Sequence, residues 1–293
     1  MLFDETTLRK LNQLALVAHK VRSGAIKGDR HSTRRGTSIE FADYRNYAPG
    51  DDLRHLDWNV YARLERPFIK LLEEEEDLAV HILVDASKSM DWDVDAHNKF
   101  NYALRLSAAL SAIALGAGDQ LTLAILHEHE TKAQYGPARG QQHLLRLLAF
   151  LEQQKAAGVT DLAGSLYAYL LTNRRPGLVF LISDLFSESG WQTSLGHFLS
   201  RGNEVILLHI LSPDELEPPL AGDLRLVDIE TGHAQEVTVD GAMRMRYQRR
   251  VNAWKDELRA ECLKKDVRYI PLDTSHPWDE LVLLDLRRAG IVK

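Results

Sequence analysis

The sequence is poor in cysteine, in long apolar runs and in positive charge. Cys262 is the single cysteine among 293 residues, so the chain cannot form an internal disulfide, as is typical of a reducing compartment. No apolar run approaches the ~20 residues of a membrane-spanning helix, and the first residues lack the basic start and apolar stretch of a signal peptide. The formal net charge of −6 argues against general affinity for nucleic acid. We therefore expect a cytoplasmic protein with no membrane span and no nucleic-acid partner.

Two common catalytic motifs are also missing. The chain has no Gly-x-x-x-x-Gly-Lys-Ser/Thr loop, whose backbone amides cradle the phosphates of a nucleotide. It has no Gly-x-Ser-x-Gly elbow, which presents the nucleophile of many serine hydrolases. The sequence therefore predicts neither a nucleotide hydrolase nor a serine hydrolase of these classes.

From Leu78 onward, apolar strand-length segments alternate with helical ones. Segments such as Leu78–Val84 and Leu178–Ser183 are apolar almost throughout, which is typical of strands buried on both faces of a parallel sheet. We predict an α/β domain over residues 77–293, with a mostly parallel sheet and helices on both faces. A β-hairpin insertion is predicted at about 222–240, where two short strand patterns flank a Glu-Thr-Gly-His turn.

Residues 1–76 are predicted to form an N-terminal extension packed on the α/β domain. Apolar residues at helical spacing predict a helix over residues 4–22, and a Gly-rich basic loop follows at 23–36. The next segment mixes aromatic, Arg and Asp residues, and we expect Trp58 in a core because aromatic side chains bury large areas.

Three predicted loops carry oxygen-bearing side chains at one edge of the sheet. Asp85, Ser87 and Ser89 follow the first parallel strand, Thr160 precedes a helix, and Asp184 follows another apolar strand. The carboxyl ends of parallel strands are where ligands bind in open α/β sheets. Two carboxylates with three hydroxyls suit Mg²⁺ or Mn²⁺, which prefer oxygen ligands.

Helix capping offers an alternative explanation for part of this set. Asp and Ser are common N-caps, so Asp85 and the two serines could cap the following helix, and either Thr160 or Asp161 could cap the next. Asp184 is different, because a lone carboxylate at the end of a buried strand is costly without a partner.

The five residues resemble the metal-ion-dependent adhesion site of von Willebrand factor A domains. Asp-x-Ser-x-Ser after a strand, a later Thr before a helix and a later Asp after a strand occur here in the same order. The resemblance implies a Rossmann-like von Willebrand factor A fold. It also implies a metal, usually Mg²⁺, whose coordination a partner carboxylate completes.

A second resemblance covers the region Gly36–Glu76. The strings Phe-Ala-Asp-Tyr-Arg-Asn-Tyr, Pro-Gly-Asp-Asp-Leu-Arg and Asp-Trp resemble the DUF58 family of bacterial proteins. That resemblance implies partnership with a MoxR-type AAA+ ATPase. The charged residues of this region that are candidates for partner contact are Arg45, Asp51, Asp52, Arg54 and Asp57. An internal network of ion pairs is the favoured explanation for the same residues.

These observations favour a metal-dependent protein-interaction module over an enzyme. The expected role is that of an adaptor or co-chaperone for the ATPase, with the ATPase or a client protein donating the carboxylate. One alternative is a Mg²⁺-dependent phosphatase or phosphotransferase with Asp85 as nucleophile. Such enzymes use Asp-x-Asp, and Ser87 stands here at the second position. The other alternative is an interaction domain that binds no metal.

Overall fold

The chain forms two compact units. The computed structural model describes residues 5–19, 39–48, 56–74, 78–92, 97–128, 130–187, 190–227 and 234–293. One unit consists of Met1–Ser23 with Leu78–Lys293, and the other of Gly24–Asp77.

The strands within the described ranges are β1 (Ile39–Asn46), β2 (Phe68–Glu74), β3 (Ala79–Asp85), β4 (Gln120–His127), β5 (Glu130–Arg139), β6 (Leu178–Ser183), β7 (Glu204–Leu211), β8 (Gly222–Val227), β9 (Ala234–Val239) and β10 (Arg268–Asp273). The α-helices are α1 (Glu5–Leu11), α2 (Trp58–Leu64), α3 (Lys99–Ala117), α4 (Leu144–Glu152), α5 (Leu162–Thr172), α6 (Trp191–Ser200), α7 (Pro213–Leu216), α8 (Gly241–Lys264), α9 (Trp278–Glu280) and α10 (Leu286–Arg288). Short 3₁₀ turns cover Lys88–Met90 and Gln141–His143, and a π turn covers Leu281–Asp285.

A six-stranded sheet forms the centre of the larger unit. Its strand order is β10-β7-β6-β3-β4-β5, and all neighbours are parallel except the edge pair β4 and β5. This confirms the predicted mixed α/β architecture with a mostly parallel sheet. Strands β3, β6 and β7 have a neighbouring strand on both sides and no exposed residue, which explains why each is a continuous apolar run in the sequence.

Two apolar clusters cover the sheet. Alternate residues of β3 divide between them, with Val80, Ile82 and Val84 in one cluster and Leu83 in the other. Because successive side chains of a strand point to opposite faces, the clusters lie on opposite sides of the sheet. Helices α3 and α4 contribute to the first, and α5, α6 and the end of α8 to the second.

The N-terminal residues differ from expectation. The helix predicted over 4–22 ends at Leu11, and Leu16 forms an isolated antiparallel bridge with Val292. Leu11 and Leu16 are buried in the same cluster as α3. Residues 1–23 therefore group with the sheet domain, because the apolar face of this segment packs there, and not with the segment that follows them in sequence.

Helix α3 is capped by Asn98. The Asn98 side chain accepts a hydrogen bond from the Asn101 amide at 2.9 Å. Since an N-cap satisfies an amide that has no partner inside the helix, we expect Asn98→Ala to lower the free energy of unfolding by about 1 kcal/mol. Urea denaturation measures this change, and Asn98→Ser, which keeps an acceptor for the Asn101 amide without placing a carboxylate against Asp91, is expected to recover part of it. An unchanged stability in Asn98→Ala would contradict the cap.

The same helix is the one described element that could cross a membrane by length and composition. Of its 18-residue apolar window, 78% is buried inside the structure. Buried core helices of globular proteins share these properties. The expected lack of a membrane span therefore remains a prediction.

Strands β8 and β9 form a separate two-stranded sheet. Strands β8 and β9 pair antiparallel, within the range where the sequence predicts an insertion. The following helix α8 buries only Leu258 and Cys262, both near its carboxyl end, and its first ten residues are exposed.

The smaller unit contains an antiparallel pair and a short helix. Strands β1 and β2 pair with an irregularity between Phe41 and Asp43. Trp58, expected in a core, is 62% exposed and is the first residue of α2. The expectation is wrong because Asp57 begins a helix at this point and Trp58 occupies its exposed first turn.

Candidate functional site

Asp85 lies at the carboxyl end of β3 and is buried. Its Oδ1 accepts a hydrogen bond from the Ser87 amide at 2.9 Å, and its Oδ2 accepts one from the Ser183 hydroxyl at 2.6 Å. The hydroxyls of Ser87 and Ser89 are 2.9 Å apart and share a hydrogen bond. The first three predicted ligands are therefore neighbours, and Ser183 joins them from β6.

The chain topology explains why residues from β3 and β6 meet. Strand β3 is hydrogen-bonded to β4 on one side and to β6 on the other. The chain leaves β3 toward β4 and later continues from β6 to β7 and β10 in the opposite direction. Such a reversal opens a crevice at the carboxyl ends of the two strands, which is the usual ligand position in open α/β sheets.

Helix capping does not explain Asp85, Ser87 or Ser89. The following α-helix begins at Lys99 and is capped by Asn98. Ser87 precedes the short 3₁₀ turn but makes no side-chain capping bond. The alternative in which these residues serve as caps of the next helix is therefore contradicted.

The loop that carries Thr160 lies against the Asp85 loop. The Ala157 amide donates to the Ala86 carbonyl at 2.9 Å, and the Lys88 amide donates to the Gly158 carbonyl at 2.8 Å. These bonds fix the loop of residues 157–161 beside the strand end.

Asp161, not Thr160, caps helix α5. The Asp161 side chain accepts from the Gly164 amide at 3.1 Å. Thr160 is 3% exposed, and its hydroxyl has no hydrogen-bond partner among the residues that the structure describes. Buried hydroxyls are normally hydrogen-bonded, so the Thr160 hydroxyl is available to an ion or a ligand.

The third loop is joined to the second through Ser187. Its hydroxyl donates to the Thr160 carbonyl at 3.0 Å and accepts from the Leu162 amide at 3.4 Å. Asp184, 1% exposed, precedes this contact, and its Oδ1 accepts from the Phe186 amide at 3.2 Å. The structure thus brings the three predicted loops together by hydrogen bonds.

A buried lysine is the main feature that the sequence prediction missed. Lys99 is fully buried, and its Nζ lies 2.6 Å from Asp184 Oδ2 and 2.5 Å from Glu215 Oε1. It also lies 4.9 Å from the centre of the Phe186 ring. A signal was available in the sequence, because Lys99 begins a helix that is apolar on almost every side, where a charged residue needs a partner.

Burial and neighbouring charge act together on Asp85. Burial raises the pKa of its carboxyl to about 6, with a further contribution from the negative charge of Asp184. Hydrogen bonds from Ser183 and Ser87 act in the opposite direction. The contribution of Asp184 is the effect of a nearby like charge on an acidic group.

His209 supports the Asp184 backbone. Burial lowers the pKa of His209 to about 4, so the ring is neutral at pH 7. Its Nε2 is 3.1 Å from the Asp184 carbonyl and its Nδ1 is 2.7 Å from the Tyr269 hydroxyl. A carbonyl only accepts, so Nε2 carries the hydrogen and donates a hydrogen bond to the Asp184 backbone carbonyl, while Nδ1 accepts one from the Tyr269 hydroxyl.

The donor set is compatible with a hard divalent cation. Within the described ranges, no group of three or more His, Cys, Asp or Glu side chains is arranged to hold a metal. Mg²⁺, however, usually takes one or two carboxylates and retains waters, and hydroxyls can complete its shell. Asp85, Asp184 and the unpartnered Thr160 hydroxyl fit such an ion, because each carboxylate oxygen can accept more than one bond.

The candidate partner-contact residues are only partly described. Asp57 is buried and caps α2, accepting from the amides of Asn59 at 2.9 Å and Val60 at 3.2 Å. Arg45 lies in β1, opposite Ile69 of β2. Asp51, Asp52 and Arg54 lie outside the described residues. Asp57 therefore has a local structural role, and partner contact by this group stays a prediction.

Fold and site define the chain as an α/β protein with an acidic, hydroxyl-rich cluster. The cluster lies at the carboxyl ends of β3 and β6, where the order of strand addition reverses. The chain belongs to the family described as "Protein of unknown function DUF58", which matches residues 43–257. The match runs from β1 into α8 and includes every residue of the candidate site.

Two mycobacterial relatives match nearly the whole chain and a third matches about half of it. Uncharacterized proteins of Mycobacterium tuberculosis (Rv1480) and Mycobacterium bovis (Mb1516) are each 28% identical over 98% of this chain and 92% of their own length. An uncharacterized protein of Mycobacterium avium is 30% identical over 53% of this chain and 94% of its own length.

Two solved structures show a weaker likeness. The conserved hypothetical protein BatB of Bacteroides thetaiotaomicron has a TM-score of 0.43 and 15% identity, over 73% of this chain and 98% of its own. An aerotolerance-related membrane protein of Bacteroides fragilis has a TM-score of 0.43 and 16% identity, over 72% and 99%.

Proposed function

We propose that this chain is a metal-dependent protein-interaction module with a von Willebrand factor A-like domain. In this proposal Mg²⁺ or Mn²⁺ is held by Asp85, Ser87, Ser89, Thr160 and Asp184, and a carboxylate of a protein partner completes the shell. The module binds and does not catalyse. The proposed partner is a MoxR-type AAA+ ATPase or a client protein, and this part of the proposal rests on the family resemblance alone. The proposed location is the cytoplasm, which rests on the sequence composition.

The observation that carries the metal proposal is the Thr160 hydroxyl. It is buried and has no partner, although a neighbouring residue, Asp161, performs the capping that would explain a hydroxyl there. Its loop is hydrogen-bonded to the loops of both acidic candidates. A cation between these loops satisfies the hydroxyl and offsets the repulsion between Asp85 and Asp184.

Calorimetric titration of EDTA-treated protein with MgCl₂ or MnCl₂ tests the metal proposal. We expect one ion per chain, no binding by Asp85→Ala, and about ten-fold weaker binding by Thr160→Val, which keeps the side-chain shape but lacks the hydroxyl. Thr172→Val is the matched control, because the Thr172 hydroxyl bonds to carbonyls of its own helix. Absence of binding by the unaltered protein with both metals would refute the proposal.

Co-purification tests the proposed partner. The tagged full chain is recovered from its native host in Mg²⁺ and, separately, in EDTA. We expect an AAA+ ATPase to be retained in Mg²⁺, lost in EDTA and lost with Asp85→Ala. Retention that is equal in all three samples would contradict a metal-bridged contact. Turnover of a phosphate ester by the Mg²⁺-loaded protein would support the phosphatase alternative.

An interaction domain without metal is the second candidate. The observation that favours it is the ion pair between Lys99 and Asp184, because an ammonium already supplies a counter-charge to one proposed ligand. This candidate predicts partner binding that is unaffected by EDTA, so the same co-purification distinguishes the two.

A further inference from the structure

The cluster around Asp184 holds more negative charge than its lysine balances. Asp85, Asp184 and Glu215 are three carboxylates, and the Lys99 ammonium lies between the last two. Fully ionised, three carboxylates against one ammonium leave two negative charges, which is the charge that one divalent cation neutralises. Burial makes this imbalance costly, because isolated charges are poorly stabilised away from water.

The Lys99 ammonium donates hydrogen bonds to two carboxylates. The two Nζ–oxygen distances, 2.6 Å to Asp184 and 2.5 Å to Glu215, are nearly equal. Lys99 is also the first residue of α3, where the helix dipole disfavours a positive charge. Its position is therefore maintained by the carboxylates, and a change at either of them alters its environment.

Glu215 is held in place independently of Lys99. Its Oε2 accepts from the Ser212 amide at 2.9 Å, and its own amide donates to the Ser212 hydroxyl at 3.3 Å, which together form a capping box for α7. The Oε1 oxygen faces Lys99. Glu215 therefore stays available to the ammonium when Asp184 binds another cation.

We propose that Lys99 is a tethered cation that competes with the divalent metal for Asp184, and that Glu215 holds Lys99 when the metal is bound. This inference rests on the proposed metal function and adds the two residues that set the affinity of the site. A divalent ion at Asp184 repels the ammonium, and the attraction of Glu215 offsets that repulsion. Neither residue contacts the metal in this scheme.

The two residues are expected to change metal affinity in opposite directions. Lys99→Met removes the competitor and is expected to strengthen Mg²⁺ binding about ten-fold. Glu215→Gln leaves the ammonium on Asp184 and is expected to weaken Mg²⁺ binding about ten-fold. In the Lys99→Met background, Glu215→Gln is expected to have little effect. Calorimetry of the EDTA-treated full chain with MgCl₂ and MnCl₂ measures all four proteins. Glu217→Gln is the control, since Glu217 bonds to Gln248 and not to Lys99.

The outcomes separate this inference from the function on which it rests. If no protein of the series binds either metal, the proposed function fails and this inference fails with it. If the unaltered protein binds metal and Lys99→Met binds equally or more weakly, Lys99 is only structural, and the metal function stands without it. Tighter metal binding by Lys99→Met than by the unaltered protein would support competition. Should Lys99→Met fail to fold, Glu215→Gln decides, because an unchanged affinity overturns the scheme.

Discussion

Lys99→Met is expected to lower the free energy of unfolding of the metal-free protein by about 3–5 kcal/mol. The side chain is fully buried and neutralises Asp184, itself 1% exposed, at 2.6 Å. Removing one partner of a buried ion pair leaves the other charge without water or a counter-ion, which costs far more than loss of an exposed pair. Urea denaturation in EDTA, followed by circular dichroism, measures the change.

Two further measurements make this prediction specific to the ion pair. Lys264→Met removes an exposed lysine from the end of α8 and is expected to change stability little. The double variant Lys99→Met/Asp184→Asn removes the two most deeply buried charges and leaves Glu215, the second acceptor of the lysine, without its counter-charge, so it is expected to recover part of the loss. A Lys99→Met protein as stable as Lys264→Met would show that the pair contributes nothing to the fold.

Much of the fold was predictable because its signal is local. Apolar runs such as Leu178–Ser183 indicate strands covered on both faces, and their alternation with helices indicates a parallel sheet. The N-terminal helix was predicted too long, because the apolar spacing continues past Leu11 although the chain there bridges to Val292. A bridge between residues so far apart in sequence leaves no local pattern.

The candidate site was predictable to the extent that parallel strands end at one sheet edge. That rule brings Asp85 and Asp184 together without knowledge of any contact. It does not identify Lys99, which meets Asp184 across 85 residues and Glu215 across 116 residues of sequence. It also cannot decide whether Thr160 or Asp161 caps α5, since both residue types cap helices well. The unpartnered Thr160 hydroxyl, the strongest support for a metal, appears only in three dimensions.

The second large effect is expected when the pH falls, and it arises at His81 on the central strand β3. Its Nδ1 is 2.7 Å from the Tyr169 hydroxyl and its Nε2 is 3.0 Å from the Arg175 carbonyl. Burial lowers the pKa of His81 from 6.5 to about 4, while a hydrogen bond to the Arg175 carbonyl opposes that shift. The folded protein therefore keeps this ring neutral at a pH where the unfolded chain binds a proton.

The sign of the pH dependence follows from that difference. Stability from His81 is fully present above pH 6.5 and is lost as the pH falls toward 4, because the unfolded state takes up the proton first. Between pH 7.5 and pH 5 the loss is about 2 kcal/mol. His81→Gln cannot titrate, so its free energy of unfolding is expected to fall by about 2 kcal/mol less than that of the unaltered protein over the same interval.

Urea denaturation at the two pH values in EDTA measures this difference. The pKa of Asp85, raised to about 6, acts in the opposite direction, since a carboxyl that binds its proton more tightly when folded gains stability as the pH falls. It is present in both proteins and cancels in the comparison. Tyr169→Phe is the matched control, because it removes the hydroxyl beside Nδ1 but leaves a buried histidine, and it is expected to retain most of the pH dependence. Equal losses in His81→Gln and the unaltered protein would mean that the acid sensitivity of this fold arises elsewhere.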